Sequence, residues 1–437
     1  MYLTSPSPHQ TKTNTEAFEM SAHGSHVKLQ HEVEQAAPIL QSFYARLVPN
    51  KKIATLSRFT LESGATIERA EVAYSTFGAL NSNGNNVLVV CHALTGSSDV
   101  ADWWQPLLGA GKALDPTRYF IFCANVLGSP YGSSSPLTID PLTRVRYGPT
   151  FPDTTIRDDV QIQKLILDAL QVKSVAAVIG SSMGGMHALE WPLCTGPGYV
   201  KNIITIATSV YQGAWGISWG ESQKQAIYAD GIFDGGWYDP TPTGQPRNGL
   251  GLARMIGMLT YRSFDSFEAR FGRDFKYNNE RTMDMVAAAR MAEAPLTRPT
   301  SENYPSSPKI YLAQSYLRYQ AAKFLNRFDA NCYLHLMNKI DTHNVTRDRG
   351  SFDASCRTPD VETLEKVLST MPTGALVVGV QDDLLFPLSQ QATIAACLPG
   401  AKLVTLISSD GHDGFLIEFE QLNSIITKYL QERYTWY

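Results

Sequence analysis

Residues 175–184 read VAAVIGSSMG, and a helix-like stretch, Gly185–Leu193, follows directly. An unbroken apolar run such as Val175–Ile179 is typical of a strand buried on both faces. In a G-x-S-x-G turn between a strand and a helix, the serine occupies a strained bend that exposes its hydroxyl. This frame selects Ser182, because Ser181 would need a glycine where the chain has Ile179. The stretch therefore predicts a strand, a nucleophile turn and a helix.

Similar apolar runs recur on both sides of this stretch, with helical patterns such as Ile156–Leu170 between several of them. The further predicted strands are NVLVVC at 86–91, YFIFC at 119–123, IITIA at 203–207, LVVGV at 376–380 and KLVTLI at 402–407. Leu56–Leu61 and Ala70–Tyr74 are predicted to form an antiparallel pair ahead of them. Strands that alternate with helices indicate an α/β protein, with a mostly parallel sheet flanked by helices.

The alternation stops after Ala207 and resumes only near Leu376. The residues between them contain helix-like patterns and joints rich in Pro, Gly and Asn, which predict a helical lid inserted into the sheet domain. The predicted helical segments are Ser222–Tyr228, Leu250–Leu259, Ser266–Phe271, Thr282–Arg290, Ile310–Ala330 and Tyr333–Ile340. The predicted organisation is a disordered tail over 1–45, a first core part over 46–210, the lid over 211–365 and a second core part over 366–437.

Composition narrows the class of protein. The chain has 437 residues, 43% of them hydrophobic, and Lys+Arg 37 against Asp+Glu 41 gives a net charge of −4. This charge offers no attraction to nucleic acid or to an anionic membrane surface, so neither is expected as a partner. The six cysteines form no C-x-x-C pair, which predicts free thiols, no metal site and a cytoplasmic location.

A serine hydroxyl needs a base within hydrogen-bond reach and a third group that orients the base. After a G-x-S-x-G turn the usual chain order is serine, acid, histidine. His412 meets this order, because it lies in a Gly-bounded loop just after the last predicted strand. The preceding strand is followed by Asp382 and Asp383, and spacing alone does not separate these two acids.

Two backbone amides are predicted to form an oxyanion hole. One belongs to Met183, the residue after the serine, and the other to Leu94, in the loop that follows the strand at 86–91. Both lie where the carboxyl ends of neighbouring strands meet.

Seven blocks of sequence resemble the homoserine O-acetyltransferase family of α/β-hydrolase-fold acyltransferases, and its fungal branch most. They are HALTG at 92–96, NVLGSPYG at 125–132, FP with TIRD at 151–158, GSSMGGM at 180–186, LTYRS at 259–263, D-x-LFP at 383–387 and GHDGF at 411–415. The resemblance implies an α/β-hydrolase fold, acetyl-CoA as co-substrate with no permanently bound cofactor, a ping-pong route through an acetyl-serine, and a homodimer formed through the lid. It assigns the acid to Asp383. It also implies that Arg254, Tyr261 and Asp413 bind the amino acid acceptor, homoserine.

Some positions depart from the family pattern. Bacterial members often have a glycine where this chain has Ser181, and Gly-Gly-Cys where it has Gly128-Ser129-Pro130. The second departure resembles fungal relatives, which include a deacetylcephalosporin C acetyltransferase. Serine or a β-lactam alcohol therefore stays open as acceptor, and succinyl-CoA as donor. An esterase with the same three catalytic groups and a catalytically silent binding protein are the rival interpretations.

Overall fold

One sheet organises the part of the chain that a computed structural model describes, namely residues 19–22, 25–31, 42–275, 310–349 and 358–434. This sheet has ten strands in the described residues, in the order β1-β2-β3-β4-β6-β5-β7-β8-β9-β10. The strands are β1 (Glu19–Ala22), β2 (Ser25–His31), β3 (Lys52–Thr60), β4 (Thr66–Phe77), β5 (Val87–Cys91), β6 (Phe120–Ala124), β7 (Val175–Ser181), β8 (Ile203–Ile206), β9 (Leu376–Val380) and β10 (Lys402–Leu406).

The half of the sheet from β6 to β10 is parallel throughout. Every apolar run that was predicted as a strand contributes one of these six strands, so the predicted α/β fold is confirmed. The predicted opening pair is present as β3 and β4, which run antiparallel with Arg58 opposite Glu68. β4 then joins the parallel half by antiparallel pairing with β6.

Helices cover both faces of this sheet. The described α-helices are α1 (Val100–Trp104), α2 (Ile156–Ala169), α3 (Met183–Cys194), α4 (Ala214–Tyr228), α5 (Arg247–Tyr261), α6 (Phe264–Phe271), α7 (Leu312–Leu325), α8 (Ala330–Asp341), α9 (Val361–Leu368), α10 (Leu388–Cys397) and α11 (Phe419–Arg433). Successive residues of β5 point to opposite faces. Val89 packs in a core cluster with α2, α3, α9 and α10, while Val90 packs in a second cluster with α1 and α11.

The predicted disordered tail over 1–45 is wrong for part of its length. β1 pairs antiparallel with β2, and β2 pairs antiparallel with β3. Tyr44 begins a short 3₁₀ helix and is completely buried. A polar segment can join a sheet in this way because an edge strand offers unpaired N–H and C=O groups, and main-chain pairing needs little apolar periodicity.

The lid is helical in the described residues, as its pattern predicted. α4, α5, α7 and α8 pack around a third core cluster that reaches down to the sheet through Met183 and Met186. The predicted helix Thr282–Arg290 lies outside the described residues. The predicted lid boundary at 365 falls inside α9, whose Leu364 and Leu368 pack with the sheet cluster.

Two features are absent from the described residues. None of the helices there combines the length and the hydropathy needed to cross a bilayer. The same residues contain no group of three or more His, Cys, Asp or Glu side chains placed to hold a metal ion.

Candidate active site

Ser182 occupies the turn between β7 and α3 with a backbone φ of +56°. This conformation is strained for a residue with a side chain, and such strain is typical of functional turns. The glycines on either side of this turn lie so close to neighbouring backbone atoms that no side chain would fit there. A Cβ on Gly180 would lie 1.9 Å from the carbonyl oxygen of Gly184, and a Cβ on Gly184 would lie 2.1 Å from that of Cys91. The glycines therefore let the start of α3 pack directly against the end of β5.

The structure brings Ser182, Asp383 and His412 together. Nε2 of His412 lies 2.9 Å from Oγ of Ser182, although the two residues are 230 positions apart in the chain. Nδ1 of His412 lies 2.7 Å from Oδ2 of Asp383. The three side chains follow the carboxyl ends of β7, β9 and β10, which meet at one edge of a parallel sheet. Serine, imidazole and carboxylate thus form a continuous hydrogen-bonded chain.

The structure also distinguishes the two neighbouring acids. Oδ1 of Asp383 accepts hydrogen bonds of 2.8 Å from the amides of Leu385 and Phe386, while its Oδ2 faces the imidazole. Asp383 is 3% exposed, whereas Asp382 is only partly buried and its carboxylate contacts none of the described hydrogen-bond donors. The loop therefore fixes one acid toward His412 and leaves the other at the surface.

The charged groups around His412 raise the pKa of its imidazole. Burial by itself lowers the pKa of this imidazole. The charge and hydrogen bond of Asp383, together with the charge of Asp413, outweigh that effect and raise the pKa above its usual 6.5. A histidine in this setting is a stronger base toward the Ser182 hydroxyl than a free imidazole would be.

The two amides predicted for an oxyanion hole lie on elements that touch. Met183 is the first residue of α3, so its N–H has no acceptor within the helix. Leu94 lies in the turn after β5, and its amide donates to no acceptor within the described residues. The contact of Gly184 with Cys91 and His92 holds α3 against this turn. Both amides are thus available to a ligand beside Ser182.

Arg254 and Tyr261 lie on α5, two turns apart on one side of the helix. The Tyr261 ring centre is 5.9 Å from that of His412, and the Arg254 guanidinium lies 5.6 Å from the Tyr261 ring. The Arg254 guanidinium forms no ion pair with a described residue, and its buried Nε has no hydrogen-bond partner among them. Arg254 is partly buried, and its guanidinium also lies 5.0 Å from the Phe324 ring. A cation with a buried Nε and no carboxylate partner among the described residues suits an anionic group of a ligand.

Asp413 has a close partner that the sequence did not indicate. Its Oδ2 lies 3.2 Å from Nε of Arg262, which also pairs with Asp410. Burial raises the pKa of Asp413, and the nearby charges of Arg262, His412 and Arg254 act in the opposite direction. Arg262 stands in the LTYRS block, but nothing in its spacing relates it to the histidine loop.

A cleft with a volume of about 220 Å³ is lined by Arg254 and by residues of the turn after β5. Its lining includes the turn before Ser97, through Ala93, Thr95 and Gly96. Three cations, Arg254, Lys323 and Arg327, also line it, against the single acid Asp102, which pairs with Arg327 at 2.9 Å. The charged side chains of the lining therefore give the cleft a positive excess.

Comparisons with known proteins agree with this geometry. A family model described as alpha/beta hydrolase fold matches residues 86–419. The chain is 44% identical to "Homoserine O-acetyltransferase FUB5" of Gibberella moniliformis, over 91% of this chain and 85% of that protein. It is 41% identical to the homoserine O-acetyltransferase of Saccharomyces cerevisiae, over 92% and 89%. Among solved structures, esterase E22 has a TM-score of 0.69 at 25% identity, over 87% of this chain and 99% of that one. With a buried serine, histidine and aspartate in hydrogen-bond contact and relatives this similar over most of its length, the chain belongs to the homoserine O-acetyltransferase family, within the α/β-hydrolase fold.

Proposed function

We propose that this protein transfers an acetyl group from acetyl-CoA to the side-chain hydroxyl of homoserine, through an acetyl-serine at Ser182. The observation that carries the proposal is the hydrogen-bonded chain of Ser182, His412 and Asp383, with the Arg254 guanidinium nearby and in no ion pair with a described residue. The triad supplies acyl transfer, and the cation supplies a place for an amino acid carboxylate. Membership of the family makes homoserine the first acceptor to test.

In the first half-reaction, His412 removes the Ser182 proton while Oγ attacks the thioester carbonyl of acetyl-CoA. The carbonyl oxygen becomes an oxyanion, which the amides of Leu94 and Met183 stabilise. The intermediate collapses by breaking the carbon–sulfur bond, and His412 gives its proton to the departing thiolate. Free CoA leaves, and Ser182 carries the acetyl group as an ester.

In the second half-reaction, homoserine takes the place of CoA. Arg254 binds its carboxylate and Asp413 its ammonium group, which directs the side-chain hydroxyl toward His412. The imidazole removes the hydroxyl proton, the new oxygen attacks the acetyl carbon, and the bond to Ser182 breaks with return of the proton to Oγ. The helical lid limits the access of water to the acyl group, so transfer competes with hydrolysis.

The positive lining of the cleft supports a polyanionic acyl donor. Lys323 and Arg327 line the cleft and can attract the phosphates of coenzyme A. Relatives that are 41% and 44% identical to this chain are homoserine O-acetyltransferases, so acetyl-CoA is proposed ahead of succinyl-CoA.

The esterase interpretation differs in one measurable respect. Esterase E22 shares the fold, and the same triad would cleave esters if water reached the acyl group. A transferase should release more than one equivalent of thiol per active site from acetyl-CoA only when a hydroxy amino acid is present. Steady-state thiol release with homoserine, serine or deacetylcephalosporin C, each with acetyl-CoA and succinyl-CoA, separates the alternatives. Equal thiol release without any acceptor would indicate a hydrolase.

The proposed role of Arg254 leads to a prediction about the acceptor. Arg254→Met should raise the KM for homoserine about 10- to 100-fold, because a charge-assisted hydrogen bond contributes about 1.5–3 kcal/mol. Arg270→Met is the matched control: this arginine also lies over aromatic rings, Phe271 and Tyr316, but on the exposed side of α6. Initial rates at varied homoserine test the pair. A KM equal in the two variants would contradict the assignment.

The raised pKa of His412 leads to a prediction about pH. Because the imidazole must be neutral to accept a proton, acetylation of Ser182 should slow as pH falls through an apparent pKa above 6.5. Asp413→Asn should move this pKa down, since the Asp413 charge helps to raise it. Stopped-flow acetylation by p-nitrophenyl acetate between pH 5 and 9 measures both values. An apparent pKa at or below 6.5 in the unmodified protein would count against the proposed base.

Assembly and location complete the proposal. The lid exposes large apolar side chains, including Trp215 at 56% and Phe264 at 73%, which suit a homodimer formed through the lid. Sedimentation velocity of the protein and of Phe264→Asp tests it, with loss of the dimer expected in the variant.

Five of the cysteines are free thiols in the described residues, which fits the reducing cytoplasm. Imaging of a fluorescent fusion tests this location.

A further inference from the structure

Two buried side chains hold the peptides that carry the oxyanion-hole amides. The Leu94 N–H belongs to the same peptide as the Ala93 carbonyl, and Nδ1 of His92 lies 2.8 Å from that carbonyl oxygen. The Met183 N–H shares a peptide with the Ser182 carbonyl, to which Oγ1 of Thr208 donates at 2.7 Å. In a trans peptide the C=O and N–H point in opposite directions. A donor on the oxygen side therefore fixes the direction of the N–H on the other side.

The protonation of His92 follows from its contacts. The Ala93 carbonyl can only accept a hydrogen bond, so Nδ1 carries a proton. Nε2 accepts a hydrogen bond of 3.2 Å from the Val126 amide, so it carries none. Burial lowers the pKa of this imidazole to about 4, which keeps it in the neutral form at working pH. His92 is therefore a permanent donor to Ala93.

Thr208 is equally constrained. It is completely buried, and its amide donates to Oε1 of Gln391 at 3.3 Å. A Cβ on Gly185 would lie 2.5 Å from the Thr208 Cβ, so the threonine packs directly against the first turn of α3. The Ser182 carbonyl also accepts the Gly185 amide at 2.9 Å. The Met186 amide donates to the same carbonyl at 3.3 Å, so the hydroxyl of Thr208 adds a third donor to a carbonyl that the helix already engages.

We propose that His92 and Thr208 are positioning residues for acyl transfer, which orient and polarise the Ala93–Leu94 and Ser182–Met183 peptides so that both N–H groups stabilise the oxyanion. This inference rests on the proposed function, because it takes those two amides as the oxyanion donors. Hydrogen bonds in a chain strengthen one another, so a donor on a peptide oxygen makes its N–H a better donor. The gain is largest when negative charge develops beside the N–H, as it does in the transition state.

The first test uses two variants of Thr208 that differ in the hydroxyl. Thr208→Val keeps the shape but removes the donor, while Thr208→Ser keeps the donor and removes a methyl group. Loss of a whole oxyanion-hole N–H costs about 10²–10³-fold in kcat. Thr208→Val keeps the Met183 N–H and removes only the hydroxyl that polarises its peptide, so we expect about a tenfold loss of kcat with little change in KM. Thr208→Ser should recover most of this loss. Equal rates in the two variants, or a loss confined to KM, would overturn the role of Thr208.

The second test separates the two ring nitrogens of His92. An asparagine amide can stand where Nδ1 stands, whereas a glutamine amide reaches the position of Nε2. His92→Asn should therefore stay within about threefold of the unmodified protein, and His92→Gln should lose about tenfold in kcat. Both variants should keep the apparent pKa of the acetylation rate, which belongs to His412. The opposite order of the two variants would overturn the proposed role of Nδ1.

The measured reaction needs neither acetyl-CoA nor homoserine, so it tests this inference separately from the proposed donor and acceptor. All rates are for acetylation of Ser182 by p-nitrophenyl acetate, followed by nitrophenolate release and by the mass of the acetylated protein. If Ser182 is acetylated but no acetyl group passes to homoserine, the proposed function is wrong and the Thr208 and His92 pairs still test the inference. If Ser182 is not acetylated at all, both are overturned. Thermal unfolding of each variant shows whether a loss of rate reflects a loss of fold.

Discussion

Ser182→Ala should reduce acetyl transfer from acetyl-CoA to homoserine by at least about 10⁴-fold. The alanine has no oxygen to carry the acetyl group, so the ping-pong route is closed and only binding and the oxyanion hole remain. Members of a triad act as one unit, and the loss of the nucleophile alone removes most of the catalytic effect. Thiol release in the presence of homoserine measures the transfer, and mass spectrometry of the protein after exposure to acetyl-CoA measures the acetyl-enzyme.

Ser181→Ala is a matched control for this variant. Ser181 is the neighbouring residue and is completely buried, but its Oγ has no hydrogen-bond partner among the described residues. We expect this variant to form the acetyl-enzyme at close to the unmodified rate. An acetyl-enzyme in Ser182→Ala, or its loss in Ser181→Ala alone, would move the nucleophile to another residue.

The sheet was predictable because buried parallel strands have a distinctive composition. Strands β5 to β10 lie beneath helices, and runs such as Val87–Cys91 and Leu376–Val380 therefore carry apolar residues on both faces. β1 and β2 carry no such signal, because an added edge strand is held largely by its main chain. For the same reason the polar, aperiodic sequence before residue 45 predicts disorder, although part of it pairs with β3 in the structure.

The serine and histidine of the candidate site were visible in the sequence because each requires a special backbone. A glycine-bounded turn after a strand indicates Ser182, and a glycine-bounded loop after the last strand indicates His412. The acid was not visible in the same way, since Asp382 and Asp383 share one loop and differ only in the direction of their side chains. Family resemblance selected Asp383, and two main-chain amides supply the physical reason.

The contact between lid and histidine loop could not be predicted, since it joins segments far apart in the chain. Gly411 has a φ of +72°, and a Cβ there would lie 2.8 Å from the amide nitrogen of Ser263. Ser266 donates to Asp410 at 2.6 Å, and Arg262 pairs with both Asp410 and Asp413. The lid helix that carries Arg254 is therefore joined to the loop that carries the catalytic base. The residues proposed to bind the acceptor and the histidine proposed as the base therefore lie in segments that pack against each other.

Asp383→Asn should lower kcat about 10⁴-fold while leaving the fold intact. Oδ1 of Asp383 accepts two amide hydrogen bonds, so the amide oxygen of the asparagine must take that position. Its NH₂ group then faces Nδ1 of His412 where Oδ2 stood. The imidazole must accept there, which moves its proton to Nε2, opposite Ser182. In this tautomer His412 has no lone pair for the Ser182 proton, and the charge that stabilised the imidazolium is lost.

Asp382→Asn makes the same chemical change one residue away, at a partly buried carboxylate outside the hydrogen-bonded chain. We expect its kcat to stay within about twofold of the unmodified protein. Both variants are nearly isosteric with the original side chain, so their thermal unfolding midpoints should lie close together. Burst-phase acetylation by p-nitrophenyl acetate then measures the catalytic effect alone. Equal losses in the two variants, or a loss below tenfold in Asp383→Asn, would show that the carboxylate does not orient His412, and the proposed mechanism would need another group to orient the base.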